Sequence, residues 1–347
     1  MPRWIAPNLI TFLGFSGIFL SWAIHMYHLE ISEDGSLPDW VYIFGGASLL
    51  IYQILDNVDG KQARATGTSS PLGQLFDHGC DAMCFGFIIM TCTVTIQASY
   101  DDIFLIMLAS QFVFFLAHWQ EHHIHVLNTV GVAEFQLIGI ATSWLTYYYG
   151  NEFWTQTSYF DLSRVDLVMK FCTYGAPLPG IVSIITVFLK TEDRARAVKD
   201  LLPLASLHVL TTLLYLDEST DSLYHRHPLI LLTISSLLFT HLTNQMIICA
   251  TTHENFSLRQ PILFPLIYIV AHNYLGWPHS ELMLGVYLGI IAGIMYDWIT
   301  RCIEEICCLL GIWCLTIPAP GSKPSSSSTN ALKTPVKTES TEEKRTQ

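Results

Sequence analysis

The sequence predicts an all-α, polytopic membrane protein with about ten transmembrane helices. Of its 347 residues 51% are hydrophobic and only 13% are charged, and the mean hydropathy is +0.40. A soluble domain carries roughly 25% charged residues, so this chain has too little polar surface for a soluble fold. Apolar stretches of about 20 residues recur from end to end, and this is the length that a helix needs to cross the hydrocarbon core.

Ten apolar segments follow one another along the chain, and each is interpreted as one membrane span. They lie at residues 8–26, 39–57, 80–98, 103–120, 133–150, 168–189, 200–216, 228–250, 261–275 and 282–303. Pro177 and Pro179 interrupt the sixth segment. Membrane helices tolerate such breaks where neighbouring groups satisfy the freed backbone atoms.

The basic residues predict the orientation of these spans. Ten spans place both termini on one side, and 14 of the 17 Lys and Arg residues then fall on that side, the exceptions being Arg164, Lys170 and Arg226. Cytoplasmic loops carry the excess of positive charge, so we expect the termini and the 58–79 loop in the cytosol. The sequon at Asn255 would also face the cytosol and should carry no glycan.

The chain divides into a membrane domain, residues 1–317, and a tail, residues 318–347. The tail begins PAPGSKPSSSSTN and ends in mixed charges, which is typical of disorder. The net charge of −12 argues against a nucleic-acid partner. The nine cysteines contain no CxxC pair and so indicate neither a disulfide framework nor a zinc site.

Four aspartates within residues 55–83 form the most informative pattern. Asp56 and Asp59 are three residues apart at the end of the second span, and Asp77 and Asp81 are four apart at the start of the third. At these spacings each pair shares one helix face. The 17 residues between the pairs include small and hydroxyl side chains and can turn back, so all four carboxylates are expected to converge at the membrane surface.

Such a cluster calls for cations. An acid near the bilayer core costs roughly 2.5–3.5 kcal/mol, and the like charges repel one another. Carboxylates suit Mg²⁺, Mn²⁺ or Ca²⁺ rather than zinc, and two divalent ions suit phosphoryl displacement. Lys61 and Arg64 add positive charge for a diphosphate, while Gly60, Ala63 and Gly73 leave room for a nucleotide. The alternative, that the acids only cap helices and solvate a loop, does not explain their paired spacing.

Eight acidic, small or basic residues are separated by defined gaps in the pattern Asp56-x2-Asp59-Gly60-x2-Ala63-Arg64-x8-Gly73-x3-Asp77-x3-Asp81. This motif resembles in full the signature of the CDP-alcohol phosphotransferase class-I family. The run GKQARATGTSSPLGQLFDHGCD, WIAPNLITF near the start, and AHWQ followed by AEFQ are similar to the eukaryotic choline- and ethanolaminephosphotransferases. The resemblance covers residues 4–315. Family members usually carry several dozen residues before WIAPN, so a shortened isoform or an incomplete gene model is expected.

The resemblance implies transfer of phosphocholine or phosphoethanolamine from CDP-choline or CDP-ethanolamine to diacylglycerol, giving the phospholipid and CMP. The membrane would be that of the endoplasmic reticulum or Golgi, with the active site at the cytosolic ends of helices 2 and 3. The DHGCD run at 77–81 favours choline or dual-specificity members, although the preferred alcohol stays open. By position, the four aspartates would ligate two Mg²⁺ or Mn²⁺ ions, and the CDP moiety would lie along Asn8, Gly60, Ala63 and Arg64.

Two candidates could accept the proton of the lipid hydroxyl. His78 titrates near neutral pH and is the favoured base. The family often gives this role to the aspartate at the position of Asp81, but a carboxylate that ligates a cation is a poor base. A purely hydrogen-bonding role for His78 also stays open.

A second cluster lies at the end of the fourth span, and it comprises His118, His122, His123 and His125. The first two are four residues apart and could share a metal, but an interfacial cluster without a catalytic metal is the favoured interpretation. Glu134 is similar to a family glutamate. It either supports the metal site or is a solvated acid at a helix end.

Three other functions compete with this assignment. One is a CDP-diacylglycerol-dependent phosphatidyltransferase, whose members are usually shorter than this chain. Another is a transporter, in which acids line an ion path, but the acids here concentrate at one membrane face. The third is an inactive lipid-binding protein. Small residues in the last span allow close helix packing, within the chain or in a homodimer, at Gly285, Gly289 and Gly293.

Overall fold

The computed structural model describes residues 1–128, 132–158, 161–219, 222–275 and 281–317. This part of the chain forms α-helices, with one isolated β-bridge between Thr157 and Ser163 and no strand. The predicted disordered tail, residues 318–347, lies outside the described residues. The helices are α1 (Pro7–Ile31), α2 (Asp39–Thr66), α3 (Pro71–Thr95), α4 (Tyr100–Ile124), α5 (Val132–Tyr149), α6 (Glu152–Thr155), α7 (Arg164–Gly175), α8 (Pro177–Lys190), α9 (Arg194–Lys199), α10 (Leu202–Tyr215), α11 (Leu223–Arg226), α12 (Pro228–Thr252), α13 (Phe264–Tyr274) and α14 (Glu281–Leu310).

The predicted all-α membrane fold is confirmed. The number of ten spans stays a prediction, because α5 and α13 are helical but are not among the described helices that are long and apolar enough to cross a bilayer. Eight helical segments of the described chain are long and apolar enough to cross a bilayer. They are α1, α2, α3, α4, the α7–α8 pair, the α9–α10 pair, α12 and α14. The break between α7 and α8 falls immediately before Pro177, because proline cannot donate the backbone hydrogen bond that a continuous helix needs.

Helix α12 is at the centre of the bundle and α14 is at its edge. In the most apolar window of α12, 83% of the residues are buried by other parts of the chain, compared with 17% for α14. Helix α12 packs against α3, α4, α10 and α14. The glycine ladder of α14 is open, because no described atom outside that helix lies within 4 Å of a Cβ built on Gly285, Gly289 or Gly293. A methyl group at any of these three positions would therefore meet no described atom outside α14.

Close approach of α3 to α12 depends on a glycine. A Cβ built on Gly86 would lie 2.7 Å from the Cβ of Ser236, a distance that two side-chain carbons do not reach. Small residues are the usual means of bringing membrane helices together. This contact fixes α3, which carries two of the four aspartates.

The connection between α2 and α3 differs from the prediction. The expected 17-residue connecting segment is mostly helical, and only residues 67–70 lie between the two helices. Gly67 ends α2 in the left-handed region with φ +69°, while the amide of Thr68 donates to the carbonyl of Ala63 at 3.0 Å. Ser70 then begins α3, because its hydroxyl accepts from the amide of Gly73. The four aspartates therefore lie one or more turns inside the helices, not at their ends.

Candidate active site

Three of the four aspartates converge. Asp56 of α2 and Asp77 and Asp81 of α3 each place a carboxylate oxygen within 4.8 Å of the others. The short turn between the helices brings the two faces together, and the spacing of four residues puts both α3 acids on the same face. Among the described residues, no Lys or Arg forms an ion pair with any of the three.

The donor set of this cluster fits a divalent cation. One oxygen of Asp77, Oδ1, is buried and has no hydrogen-bond partner in the described chain. Three half-buried carboxylates held this close repel one another unless cations neutralise them. Hard oxygen ligands with free lone pairs are those that Mg²⁺ and Mn²⁺ prefer. Asp56, Asp77 and Asp81 are therefore the residues best placed to hold metal.

Tyr52 belongs to this cluster although the sequence analysis did not identify it. Its hydroxyl donates a hydrogen bond to Oδ1 of Asp81, and only 2% of the residue is exposed. Because Tyr52 precedes Asp56 by four residues on α2, the two share a helix face. That spacing was the available signal. The contact fixes the orientation of the Asp81 carboxylate.

Asp59 is buried beside the cluster but has its own partners. Its Oδ2 accepts from the hydroxyl of Thr11 on α1, and its Oδ1 accepts from the amide of Gly60. Near it, the side-chain amide of Gln62 donates to the carbonyls of Pro2 and Ile5, at 2.8 and 3.0 Å. These contacts hold the N-terminal segment and α1 against α2. Asp59 is not among the three converging acids.

His78 lies in a polar group with side chains of α4. Its ring is 5.2 Å from that of His118, and His118 Nδ1 is 3.3 Å from Oε2 of Glu121. Glu121 in turn accepts from the side chain of Gln74 at 2.9 Å. The ring nitrogen Nδ1 of His78 is buried and has no hydrogen-bond partner in the described chain. The imidazole of His78 therefore packs against His118 and lines a common cavity with the three carboxylates.

The four predicted nucleotide-binding residues form two small groups. Asn8, at the start of α1, is 8% exposed, and its Oδ1 lies 3.7 Å from a Cβ built on Gly73. The guanidinium of Arg64 reaches back over Gly60, 3.6 Å from a Cβ built there. Ala63 lies on the same helix, where its carbonyl closes the end of α2.

The segment that follows α14 also contacts Asn8. The side-chain amide of Asn8 donates a weak hydrogen bond to the sulfur of Cys314 in that segment, at 3.8 Å. Burial raises the pKa of the Cys314 thiol to about 11, so this sulfur is a neutral thiol at physiological pH. The C-terminal end of the described chain therefore lies against the first helix.

A cavity of about 760 Å³ opens from the carboxylates into the bundle. Its walls come from α2, α3, α4, α5, α7 and α8. Asp56, Asp77, Asp81, His78 and His118 line it, and Glu134 lines it from α5. Most of the remaining wall is apolar, for example Phe85, Ile89, Phe114, Phe135, Val168 and Leu178. An apolar chain of a lipid can thus lie next to a metal-binding group.

The histidines of the second cluster separate into two groups. His118 belongs with His78 and Glu121, whereas His122 belongs with His123 and Asp200. The two residues that could have shared a metal on spacing alone therefore have different partners. His125, which ends α4 in the left-handed region, packs its ring against that of His253.

The region that contains the four aspartates is similar to proteins of a known family. The family model for CDP-alcohol phosphatidyltransferases matches residues 4–170, which include all four aspartates. A CDP-alcohol phosphatidyltransferase class-I family protein of Dictyostelium discoideum is 29% identical, with 95% of this chain and 83% of that protein covered. Cholinephosphotransferase 1 of Rattus norvegicus is 26% identical, with 76% and 68% covered. Ethanolaminephosphotransferase 1 of Mus musculus is 28% identical, with 81% and 75% covered.

The matched region contains the three converging aspartates and most of the cavity wall. It runs from the N-terminal segment held by Gln62, through the converging aspartates of α2 and α3, to the α4 and α5 walls of the cavity. Residues 4–170 of this chain match the model of the CDP-alcohol phosphatidyltransferase domain.

Proposed function

We propose that this protein transfers phosphocholine or phosphoethanolamine from a CDP-alcohol to diacylglycerol, releasing CMP. The observation that carries the proposal is the convergence of Asp56, Asp77 and Asp81 at one end of a largely apolar cavity. This arrangement places a metal-binding group for a diphosphate beside a space suited to a lipid. The family acts on a CDP-alcohol and a lipid acceptor, and the cholinephosphotransferase and ethanolaminephosphotransferase relatives support the choice of substrates.

Asp56, Asp77 and Asp81 are the proposed ligands of two Mg²⁺ or Mn²⁺ ions, with Asp59 beside them. When bound, such ions neutralise the diphosphate and stabilise the charge on the departing CMP. Before the donor binds, the chain keeps these carboxylates in place through Tyr52 on Asp81 and Thr11 on Asp59. We place the CDP moiety along Asn8, Gly60, Ala63 and Arg64.

His78 is the proposed base. The hydroxyl oxygen of diacylglycerol attacks the phosphorus that bears the alcohol, the bond from that phosphorus to the CMP oxygen breaks, and His78 takes the hydroxyl proton. The group formed by His118, Glu121 and Gln74 limits the positions that the His78 ring can take. Asp81 is less suited to this role, because one of its oxygens already accepts from Tyr52 and metal ligation would lower its basicity further.

The cavity is the proposed site of the acceptor lipid. Its apolar wall suits acyl chains, and a hydroxyl at its polar end would lie near both His78 and the carboxylates. The basic residues favour a site that faces the cytosol, and we propose the endoplasmic reticulum or Golgi membrane as its location.

One assay tests the proposal. The protein, purified in detergent, is given diacylglycerol, Mg²⁺ and radiolabelled CDP-choline or CDP-ethanolamine, and separate reactions contain CDP-diacylglycerol with inositol or serine. We expect labelled phosphatidylcholine or phosphatidylethanolamine and an equal amount of CMP. Product only from CDP-diacylglycerol would identify the sister reaction, and no labelled phospholipid from any donor would overturn the proposed function.

The role of His78 is tested by His78→Ala. Loss of a general base lowers turnover by about 10²–10⁴-fold, while the Mn²⁺ concentration for half-maximal rate should stay within about twofold, since ligand loss or misplacement costs more than that. His28→Ala, a change in the last turn of α1 away from the site, should leave both quantities unchanged. Full turnover in His78→Ala would assign the proton to another group.

A further inference from the structure

A second polar cluster joins α4 to the short helix α9, and the proposed reaction does not use it. At the end of α4, His122 Nε2 lies 3.8 Å and His123 Nε2 lies 3.3 Å from Oδ2 of Asp200. Asp200, which directly follows α9, has no exposed side-chain surface. The side chains of His122 and His123 are 10% and 9% exposed. The three ligating atoms lie within 4.8 Å of one another.

These atoms are close together without being hydrogen-bonded. Among the described residues, His123 Nε2 and Asp200 Oδ2 have no hydrogen-bond partner, whereas Asp200 Oδ1 forms an ion pair with Arg196. Buried polar atoms are normally hydrogen-bonded, and a buried group that is not calls for an explanation such as a bound ion. Here one imidazole nitrogen of each histidine lies within 3.8 Å of the same carboxylate oxygen.

The distances from the two histidine nitrogens to the carboxylate oxygen suit a tetrahedral metal. Zinc binds imidazole nitrogen at about 2.0–2.1 Å and carboxylate oxygen at about 2.0–2.2 Å, which separates neighbouring ligand atoms by roughly 3.3 Å. The observed 3.3 and 3.8 Å are near that separation. The other oxygen of Asp200, Oδ1, is 2.8 Å from Nε of Arg196. A basic group on the second oxygen orients the first one, as outer partners of metal ligands generally do.

We propose that His122, His123 and Asp200 bind one divalent transition-metal ion of the zinc class. Two imidazoles and a carboxylate suit zinc, whereas the all-carboxylate cluster of the active site suits Mg²⁺ or Mn²⁺. The protein would thus hold two kinds of metal at separate places. The ion would fasten the end of α4 to α9, where Trp119 already donates to the carbonyl of Ala197 at 2.9 Å.

The competing account is an ion pair between protonated histidine and Asp200 without metal. The two accounts differ in zinc content. The detergent-purified protein is equilibrated with micromolar zinc in a large excess of Mg²⁺, which keeps the active-site carboxylates occupied, and zinc per chain is measured by plasma mass spectrometry. We expect about one zinc per chain in the wild type, at three protein ligands plus an open fourth position.

Matched variants assign the site. His123→Ala and Asp200→Asn should weaken zinc binding at least tenfold, whereas His125→Asn, at the next histidine of the same helix end, and Asp56→Asn, in the carboxylate cluster, should keep the wild-type zinc content. Loss of zinc in Asp56→Asn alone would place the ion in the active site and overturn the proposal. So would a wild-type protein without zinc.

The change in Tm on addition of zinc tests the proposed ligands even in variants that fold poorly. Zinc should raise the Tm of the wild type, because a ligand that binds only the folded state stabilises it, and it should raise the Tm of His122→Gln less or not at all. An equal rise in both proteins would show that zinc binds elsewhere and would contradict the proposed ligands.

Discussion

Tyr52→Phe should weaken metal binding without unfolding the protein. The change removes one hydroxyl, which donates to Oδ1 of Asp81 from a residue that is 2% exposed. A hydrogen bond to a charged group contributes about 1.5–3 kcal/mol, and 1.4 kcal/mol corresponds to a factor of ten. Partners that orient metal ligands typically contribute 10–100-fold in affinity or activity. We therefore expect the Mn²⁺ concentration for half-maximal rate to rise by about 10–100-fold.

The matched control lies on the same helix. Tyr42 is also buried, and its hydroxyl contacts the amide of Leu37 and the side chain of Asn151, near the opposite end of α2. Tyr42→Phe should lower the Tm and leave the Mn²⁺ dependence unchanged. The assay is a Mn²⁺ titration of phosphotransfer, together with direct Mn²⁺ binding by electron paramagnetic resonance. If Tyr52→Phe and Tyr42→Phe showed the same Mn²⁺ dependence, the proposed role of Tyr52 would be refuted.

Two further predictions concern the helices that hold the site. Gly86→Ala places a Cβ 2.7 Å from the Cβ of Ser236, and such overpacking costs about 1–3 kcal/mol, so the Tm in detergent should fall by several degrees. Gly289→Ala should not lower the Tm, because no described atom outside its own helix lies near the new Cβ. Equal Tm values for the two variants would contradict the close α3–α12 contact. Ser70→Ala removes the oxygen that accepts from the amide of Gly73 and should cost about 1 kcal/mol. Ser70→Asp restores a capping oxygen and should recover most of the Tm, and the same loss in both variants would show that the cap does not stabilise α3.

The helical character of the membrane domain could be predicted, but the ends of two helices could not. Hydropathy shows which residues favour the bilayer and not where a helix ends, so the second span was expected to end at residue 57. Helix α2 continues to Thr66, because GKQARAT contains Lys, Gln, Ala and Arg, which are good helix formers in water as well. Pro71 and Ser70 then give α3 its start before hydropathy rises. A polar helix that extends beyond the bilayer is thus easily mistaken for a loop.

The candidate site was predictable where it depends on spacing along one helix. Asp77 and Asp81 were placed on one face, and the structure brings them together with Asp56. The separate environment of Asp59 depends on Thr11, which is 48 residues away. The pairing of His123 with Asp200 likewise joins distant segments. Contacts of this kind come from tertiary packing, and the spacing of residues along the sequence does not predict them.

The proposed reaction depends on divalent ions that Asp56, Asp77 and Asp81 hold together. Electron paramagnetic resonance of the purified protein with Mn²⁺ and a CDP-alcohol detects such ions. We expect two bound Mn²⁺ ions per chain, close enough for their spins to couple, and loss of that coupled signal in Asp56→Asn, Asp77→Asn and Asp81→Asn but not in Asp39→Asn, an exposed acid at the start of α2. A coupled signal that persists in the three site variants, or no bound Mn²⁺ in the wild type, would contradict the proposed role of these aspartates.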